Sequence, residues 1–302
     1  MPDTAALPCS PAPQPTHARR RCPAMPGPWR QCAAASLLAL LALLAGCALR
    51  PAPQFLPGST RFAECPQFFP AQAPPLVPPG RGQRELCYSA FAVLHDGTSK
   101  TPVFVVEHLD RATIDAARGQ KRSNRFFAEA RLPRAERAEL ADYRGSGYSR
   151  GHMAPAGDMS TREAMAESFS LANMVPQDQT FNGGAWARIE QQTRQYVQRA
   201  RADVYVFTGP VFAADAPTIG TGRVQVPSHL FKLVYDPCSG KSWAHWLANA
   251  PGTSVLPTIS YEELVQRTRI RFLPPAAHAL HAGTGCAGAA ATHASAAESP
   301  TP

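Results

Sequence analysis

Leu86-Cys-Tyr-Ser-Ala-Phe-Ala-Val-Leu94 and Pro102-Val-Phe-Val-Val-Glu-His-Leu109 are two runs of apolar, β-branched and aromatic residues separated by His95-Asp-Gly-Thr-Ser-Lys100. Asp96-Gly97 between such runs is a hairpin turn signal, so a β-hairpin opens the folded part. Further strands are expected at Val204–Phe207, Val211–Phe212, Leu230–Tyr235 and Trp243–Leu247. Helical patterns cover Arg134–Asp142, Arg162–Ser168, Trp186–Arg201 and Tyr261–Arg269, the last opened by Ser260 and Glu263 placed as a capping box. Hairpins and helices follow no strict strand-helix-strand alternation, which favours an α+β domain over a doubly wound one.

Away from this centre the texture changes on both sides. Residues 47–84 contain Pro51, Pro53, Pro57, Pro66, Pro70, Pro74, Pro75, Pro78 and Pro79 and read as a Pro-rich tether. The domain is then placed at 85–275, and the Ala-, His- and Gly-rich residues 276–302 read as a disordered tail. In 302 residues, 31 Pro is about twice the usual share and 17% charged residues is below it, which excludes a disordered polyanion or polycation. The formal net charge of +8 leans towards anionic partners; because Lys supplies only four of the 30 basic residues, the Arg excess also fits genome composition.

Ser36-Leu-Leu-Ala-Leu-Leu-Ala-Leu-Leu-Ala-Gly-Cys47 is an apolar run preceded by Arg30 and, further upstream, Arg19 to Arg21. It is short of the roughly 20 apolar residues that a membrane span needs and fits the hydrophobic region of a signal peptide. Its last residues, Leu44-Ala45-Gly46-Cys47, resemble a bacterial lipobox. That resemblance implies removal of residues 1–46 and a lipid on Cys47; Ala48 in place of an Asp implies transfer to the outer membrane, with a periplasmic or cell-surface domain. Met25 lies at the right distance to start a compact signal peptide, so residues 1–24 have two readings: translated leader, or upstream sequence of a misassigned start. Cys9, Cys22 and Cys32 leave with the leader, and no Cys-x-x-Cys pair offers a zinc site. The four that remain allow three disulfide pairings; Cys65 with Cys87 and Cys238 with Cys286 are favoured because each closes a local loop. Free buried thiols are the other reading.

The chemistry is concentrated in two stretches. Gly145-Ser-Gly-Tyr-Ser-Arg-Gly-His-Met-Ala-Pro-Ala-Gly-Asp158 has glycines that let the backbone turn beside a ligand, and Arg150 and His152, two apart, face one side of an extended segment. A guanidinium can take phosphate oxygens while a neutral imidazole removes a proton from water. Taken alone, these residues suit an ordinary Gly-rich loop equally well. The second stretch, Ser170 to Glu190, leads into a helix whose apolar face is set by Trp186, Ile189, Val197 and Ala200. At about 100° per residue Glu190 lies about 40° from Trp186, so a carboxylate points towards the buried side and needs a cation or strong donor. Asn182 falls about 80° away and roughly 12 Å along the axis. Direct ligation of one ion by both is doubtful on that geometry. Asn182 as the direct ligand, with Glu190 acting through a metal-bound water, is easier, and Mg²⁺ accepts so few protein ligands. Helix capping by Asn182 and a structural ion pair for Glu190 are the plain alternatives.

Together the stretches resemble the DNA/RNA non-specific endonuclease family, the ββα-metal nucleases that include endonuclease G. The resemblance spans about 85–275 and rests on Ser149-Arg150-Gly151-His152, Asn173-Met-Val-Pro-Gln177 and Asn182-x-x-x-Trp186-x-x-x-Glu190. It implies a mainly antiparallel central sheet flanked by helices. It implies His152 as general base, Asn182 as direct Mg²⁺ ligand with Mn²⁺ as substitute, and Glu190 holding the hydrated metal. Arg150 is the motif arginine. Arg122, with Arg125 as alternative, matches the arginine that stabilises the transition state, and Asn173 a supporting group. Ser149 stands where the family usually has Asp, which puts rate and metal preference in doubt. The implied activity is hydrolysis of DNA and RNA to 5′-phosphate products, falling below the imidazole pKa, around 6.5 when unperturbed. A catalytically silent nucleic-acid-binding lipoprotein and a metal-dependent phosphodiesterase for a small substrate are the rivals, and homodimer formation is left open.

Overall fold

A computed structural model of the chain describes residues 58–275; the signal segment, Cys47, and residues 276–302 with Cys286 lie outside them. In chain order the elements are β1 (Gly58–Ser59), β2 (Leu76–Val77), β3 (Gln83–Cys87), β4 (Phe91–Asp96), β5 (Thr101–Leu109), helix α1 (Arg111–Ala117), α2 (Leu140–Tyr143), β6 (Ser149–His152), α3 (Arg162–Glu167) and β7 (Met174–Gln177). There follow α4 (Gln179–Phe181), a π-helical turn (Asn182–Trp186), α5 (Ala187–Arg199), β8 (Val204–Val211), the small hairpin β9 (Thr218–Ile219) and β10 (Val224–Gln225), β11 (His229–Asp236), β12 (Lys241–Ala248) and α6 (Tyr261–Thr268).

Six strands form one antiparallel sheet in the order β12-β11-β8-β5-β4-β3. The expected α+β architecture with a mainly antiparallel central sheet is the one observed. Alternation along each strand divides the side chains between two cores. Phe91, Val93, Val105, Leu230 and Leu247 meet Phe169, Phe181, Trp186 and Ile189 on one face. Leu94, Phe104, Phe207, Phe231 and Leu233 meet Phe62, Phe69, Leu264 and Phe272 on the other. Trp186 and Ile189 place α5 against the first face.

That first face also carries an unusual row. Val105, Thr208, Lys232 and His245 stand opposite one another across four adjacent strands. Lys232 is buried and donates from Nζ to Thr208 Oγ1 at 2.8 Å, beneath the Trp186 ring at 5.6 Å. Glu107, two residues on from Val105, is buried with neither carboxyl oxygen hydrogen-bonded among the described residues.

Several expectations are corrected. From Gly58 onward the proposed tether is folded: β1 pairs with β2, and Phe62, Phe68, Phe69 and Val77 are core residues. Pro-rich composition suggested a spacer, but Pro66 and Pro70 each open a short 3₁₀ turn, and burying each Phe is worth roughly 1.5–3 kcal/mol. Leu86–Leu94 is two strands, because the Glu167 carboxylate takes both the backbone N–H and the hydroxyl of Ser89 and fixes a bend there. Arg134–Asp142 is a 3₁₀ turn (Arg134–Glu136) and α2, separated by extended backbone at Arg137 and Glu139. Helix α1, absent from the sequence reading, is capped by Asp110, which accepts from Thr113 N at 2.6 Å. The Cys65–Cys87 disulfide is present and ties the amino-terminal segment to β3. Cys238 is also disulfide-bonded; its expected partner, Cys286, is outside the described residues.

Candidate active site

Strands β6 and β7 pair antiparallel, with His152 opposite Met174 and Ser149 opposite Gln177. His152 ends its strand buried against the rings of Phe169, 5.0 Å between centroids, and Phe126, 5.8 Å. Its Nε2 has no hydrogen-bond partner among the described residues. Burial, with the Arg122 guanidinium adding to it, lowers the imidazole pKa to about 3, so the ring is neutral at physiological pH. The direction of the shift moves the expected acid limb below the 6.5 of a solvated histidine.

A cavity of about 290 Å³ gathers Arg122, Arg150, His152, Asn182, Glu190 and Arg194. Five of these were singled out from the sequence. Arg150 reaches it from β6 with its guanidinium 4.1 Å over the Phe126 ring, and Arg122 does so 5.0 Å over Phe169, its Nε donating to Asn124 Oδ1 at 2.8 Å. Arg125 is not on its wall. Asn182 and Glu190 come from the helical stretch, and here the π turn matters. Each residue of a wider turn advances less than the 100° of an α-helix, so the expected 80° lag between them shrinks and both side chains line one cavity. Glu190 is enclosed by protein, which raises its pKa to about 7 with Asp158 adding to the effect and Lys232 opposing it.

Asn173 and Ser149 stand apart. Asn173 is fully buried and hydrogen-bonds to the backbone of Ala154 on both sides and to Ser168 O. It fixes the chain just after His152. Ser149 lines a neighbouring groove. Arg194 was missed: one turn after Glu190 on α5, it donates to buried Asp158 Oδ1 at 2.8 Å. The Glu190 to Arg194 spacing of four was the available signal.

A family model, DNA/RNA non-specific endonuclease, matches residues 74–274. The chain belongs to the DNA/RNA non-specific endonuclease family. Among similar proteins, mitochondrial nuclease EXOG of Xenopus laevis is 39% identical over 162 residues, covering 49% of this chain and 44% of that protein. Human mitochondrial nuclease EXOG is 37% identical over 167 residues, covering 52% and 45%. Human mitochondrial endonuclease G is 30% identical over 203 residues, covering 61% and 68%. The chain thus spans less than half the length of the two EXOG proteins. A chain from the crystal structure of the EndoG/EndoGI complex shares the fold, with a TM-score of 0.56 and 23% identity over 71% of this chain and 92% of that one.

Within this family member the motif glycine has a packing reason. A Cβ on Gly151 would stand 1.9 Å from Gln177 Oε1 and 2.6 Å from Gln177 Cβ, and Gln177 is fully buried. Rotation of the amide relieves the first contact and leaves the second. Gly151→Ala is expected to cost about 1–3 kcal/mol and lower the melting temperature by roughly 2–12 °C, with activity falling because Arg150 and His152 flank the displaced backbone. An unchanged melting temperature would show that the strand pair accepts a methyl group.

Proposed function

We propose that the protein is a Mg²⁺-dependent, sugar-non-specific endonuclease that hydrolyses phosphodiester bonds of DNA and RNA and leaves 5′-phosphate ends. The observation that carries this reading is the meeting of a neutral, unpartnered His152 Nε2 with Asn182, Glu190 and three arginines in one cavity. Among the described residues no group of three or more His, Cys, Asp and Glu is arranged to hold a metal. The Asn182 amide oxygen and the Glu190 carboxylate are nevertheless hard donors, and Mg²⁺ keeps several of its waters and takes one or two such ligands; Mn²⁺ suits the same donors. A divalent ion held there supplies positive charge for the phosphoryl oxygens and the leaving 3′ oxygen.

The chain's own part follows from its residues. His152 accepts a proton from the attacking water as the new P–O bond forms and the P–O3′ bond breaks. Arg122 and Arg150 bind the non-bridging oxygens, where charge develops, and their aromatic supports hold the guanidiniums in place. A silent binder would need the arginines alone, with no neutral buried imidazole. We further propose that the domain is a lipoprotein held at the outer membrane through Cys47; the Cys65–Cys87 bridge supports an oxidising compartment. Plasmid nicking with magnesium, with chelator and with His152→Ala tests the enzymatic reading. Magnesium-dependent nicking, abolished by chelator, is expected; its absence from the wild type overturns the reading, and cleavage of small diesters alone favours a phosphodiesterase.

A further inference from the structure

Next to the cavity lies a groove of about 620 Å³ that shares Arg122, Arg150 and Asn182 with it and extends past Ser149 to Tyr148, Arg144, Tyr143 and Leu140. No acidic side chain lines it among the described residues. Its far end is built from a held loop. Ser146 Oγ donates to Tyr143 O at 2.9 Å and accepts from Tyr148 N at 3.2 Å, Gly145 and Gly147 take the positive φ that the turn needs, and Gln179 Nε2 donates to Gly147 O at 3.1 Å. The wall behind is braced by the β9–β10 turn. Gly222 N donates to Asp142 Oδ1 at 2.7 Å, and Gly220 passes so close that a Cβ there would lie 2.3 Å from Asp142 Cα.

Two features of this groove point to one chemistry. Tyr148 is a half-exposed ring on a fixed loop, and Arg144 is an exposed cation one short turn away, while Tyr143 is buried in the wall behind them. A ring and a cation in a trough that opens on Arg150 and Arg122 match the base and phosphate of a nucleotide.

We propose that this groove is a nucleotide subsite for the unpaired nucleotide adjoining the cleaved phosphate: its base stacks on Tyr148 and its outer phosphate pairs with Arg144. The assignment rests on the nuclease reading and deepens it, making Tyr148 a determinant of preference for unpaired over duplex strands. Stacking on one aromatic ring is sequence-tolerant, since every base has a π-face.

The test uses the full chain in chelator, where nothing is cleaved, and a short oligothymidylate carrying one 2-aminopurine. Stacking is expected to quench the probe on binding to the wild type and to Tyr148→Phe. Tyr148→Leu, which keeps apolar contact with its neighbours but has no ring, is expected to lose the quenching and to bind roughly 5- to 150-fold more weakly. Arg144→Ala, at an exposed position where folding is not at stake, is expected to lower the slope of log affinity against log salt by about one. Binding by the wild type without quenching, equal quenching by Tyr148→Leu, or an unchanged salt slope for Arg144→Ala overturns the subsite. Plasmid cleavage that persists without quenching removes the subsite alone, whereas quenching without any magnesium-dependent cleavage removes the nuclease reading and leaves the groove.

Discussion

His152→Ala is expected to lower the rate of magnesium-dependent cleavage by roughly 10²–10⁴-fold while leaving oligonucleotide affinity in chelator close to the wild-type value. The size follows from the role: a positioned base contributes to the barrier, whereas phosphate binding belongs to Arg122 and Arg150. The electrostatics add a second, independent expectation. Burial and the Arg122 cation depress the imidazole pKa to about 3. The base form is therefore present above that value and lost only as the pH falls through it. An NMR titration of the His152 ring should show no midpoint above pH 5. A midpoint near 6.5 would mean that the ring is solvated and the site more open than described.

Lys232→Met is expected to be strongly destabilising, at about 3–5 kcal/mol or a melting temperature lowered by roughly 6–20 °C. Lys232 is 1% exposed and lies beneath α5, where Glu107, Asp158 and Glu190 face two cations, Lys232 and Arg194. Burial, and after it the Asp158 carboxylate, raises the Glu107 pKa well above the usual carboxylate range, which favours its neutral form. Lys232 holds the carboxyls of Glu107, Asp158 and Glu190 lower than burial alone would set them. Removing the ammonium takes away the charge that opposes those shifts and the donor to Thr208, and breaking one partner out of a buried set is the costly way to change it. Glu107→Gln, by contrast, replaces one neutral group by another of the same shape and should change stability by no more than about 1 kcal/mol. Thermal melts of the two variants decide the matter: a large loss with Glu107→Gln would show that Glu107 is ionised, and no loss with Lys232→Met would show that water reaches the cluster.

What the sequence made legible is tied to period and spacing. The apolar runs of β5, β8, β11 and β12 announced the sheet, and Arg150, His152, Asn182, Glu190 and Arg122 were found because their chemistry is exposed in motif form. Three things were hidden. An i to i+5 turn has no residue signature, so the phase between Asn182 and Glu190 could only be estimated for an ideal α-helix. Phe62, Phe68 and Phe69 sit among prolines without any periodicity, and their burial is decided by the sheet face they cover rather than by local pattern. Glu107 and Lys232 interrupt apolar strands singly, and a lone charge in a strand reads as solvent-facing until the neighbouring strands set its face.

The two ends of the described chain meet the sheet on the same side. Phe62 and Phe69 near one end, and Phe272 and Leu273 near the other, belong to the core opposite the one that backs the catalytic cavity. Both ends of the described residues therefore lie behind the sheet, and the catalytic cavity is backed by the other face. The segments that close the back of the sheet are thus separated by the sheet itself from the residues that line the cavity, so a change in their packing reaches the site only through the strands.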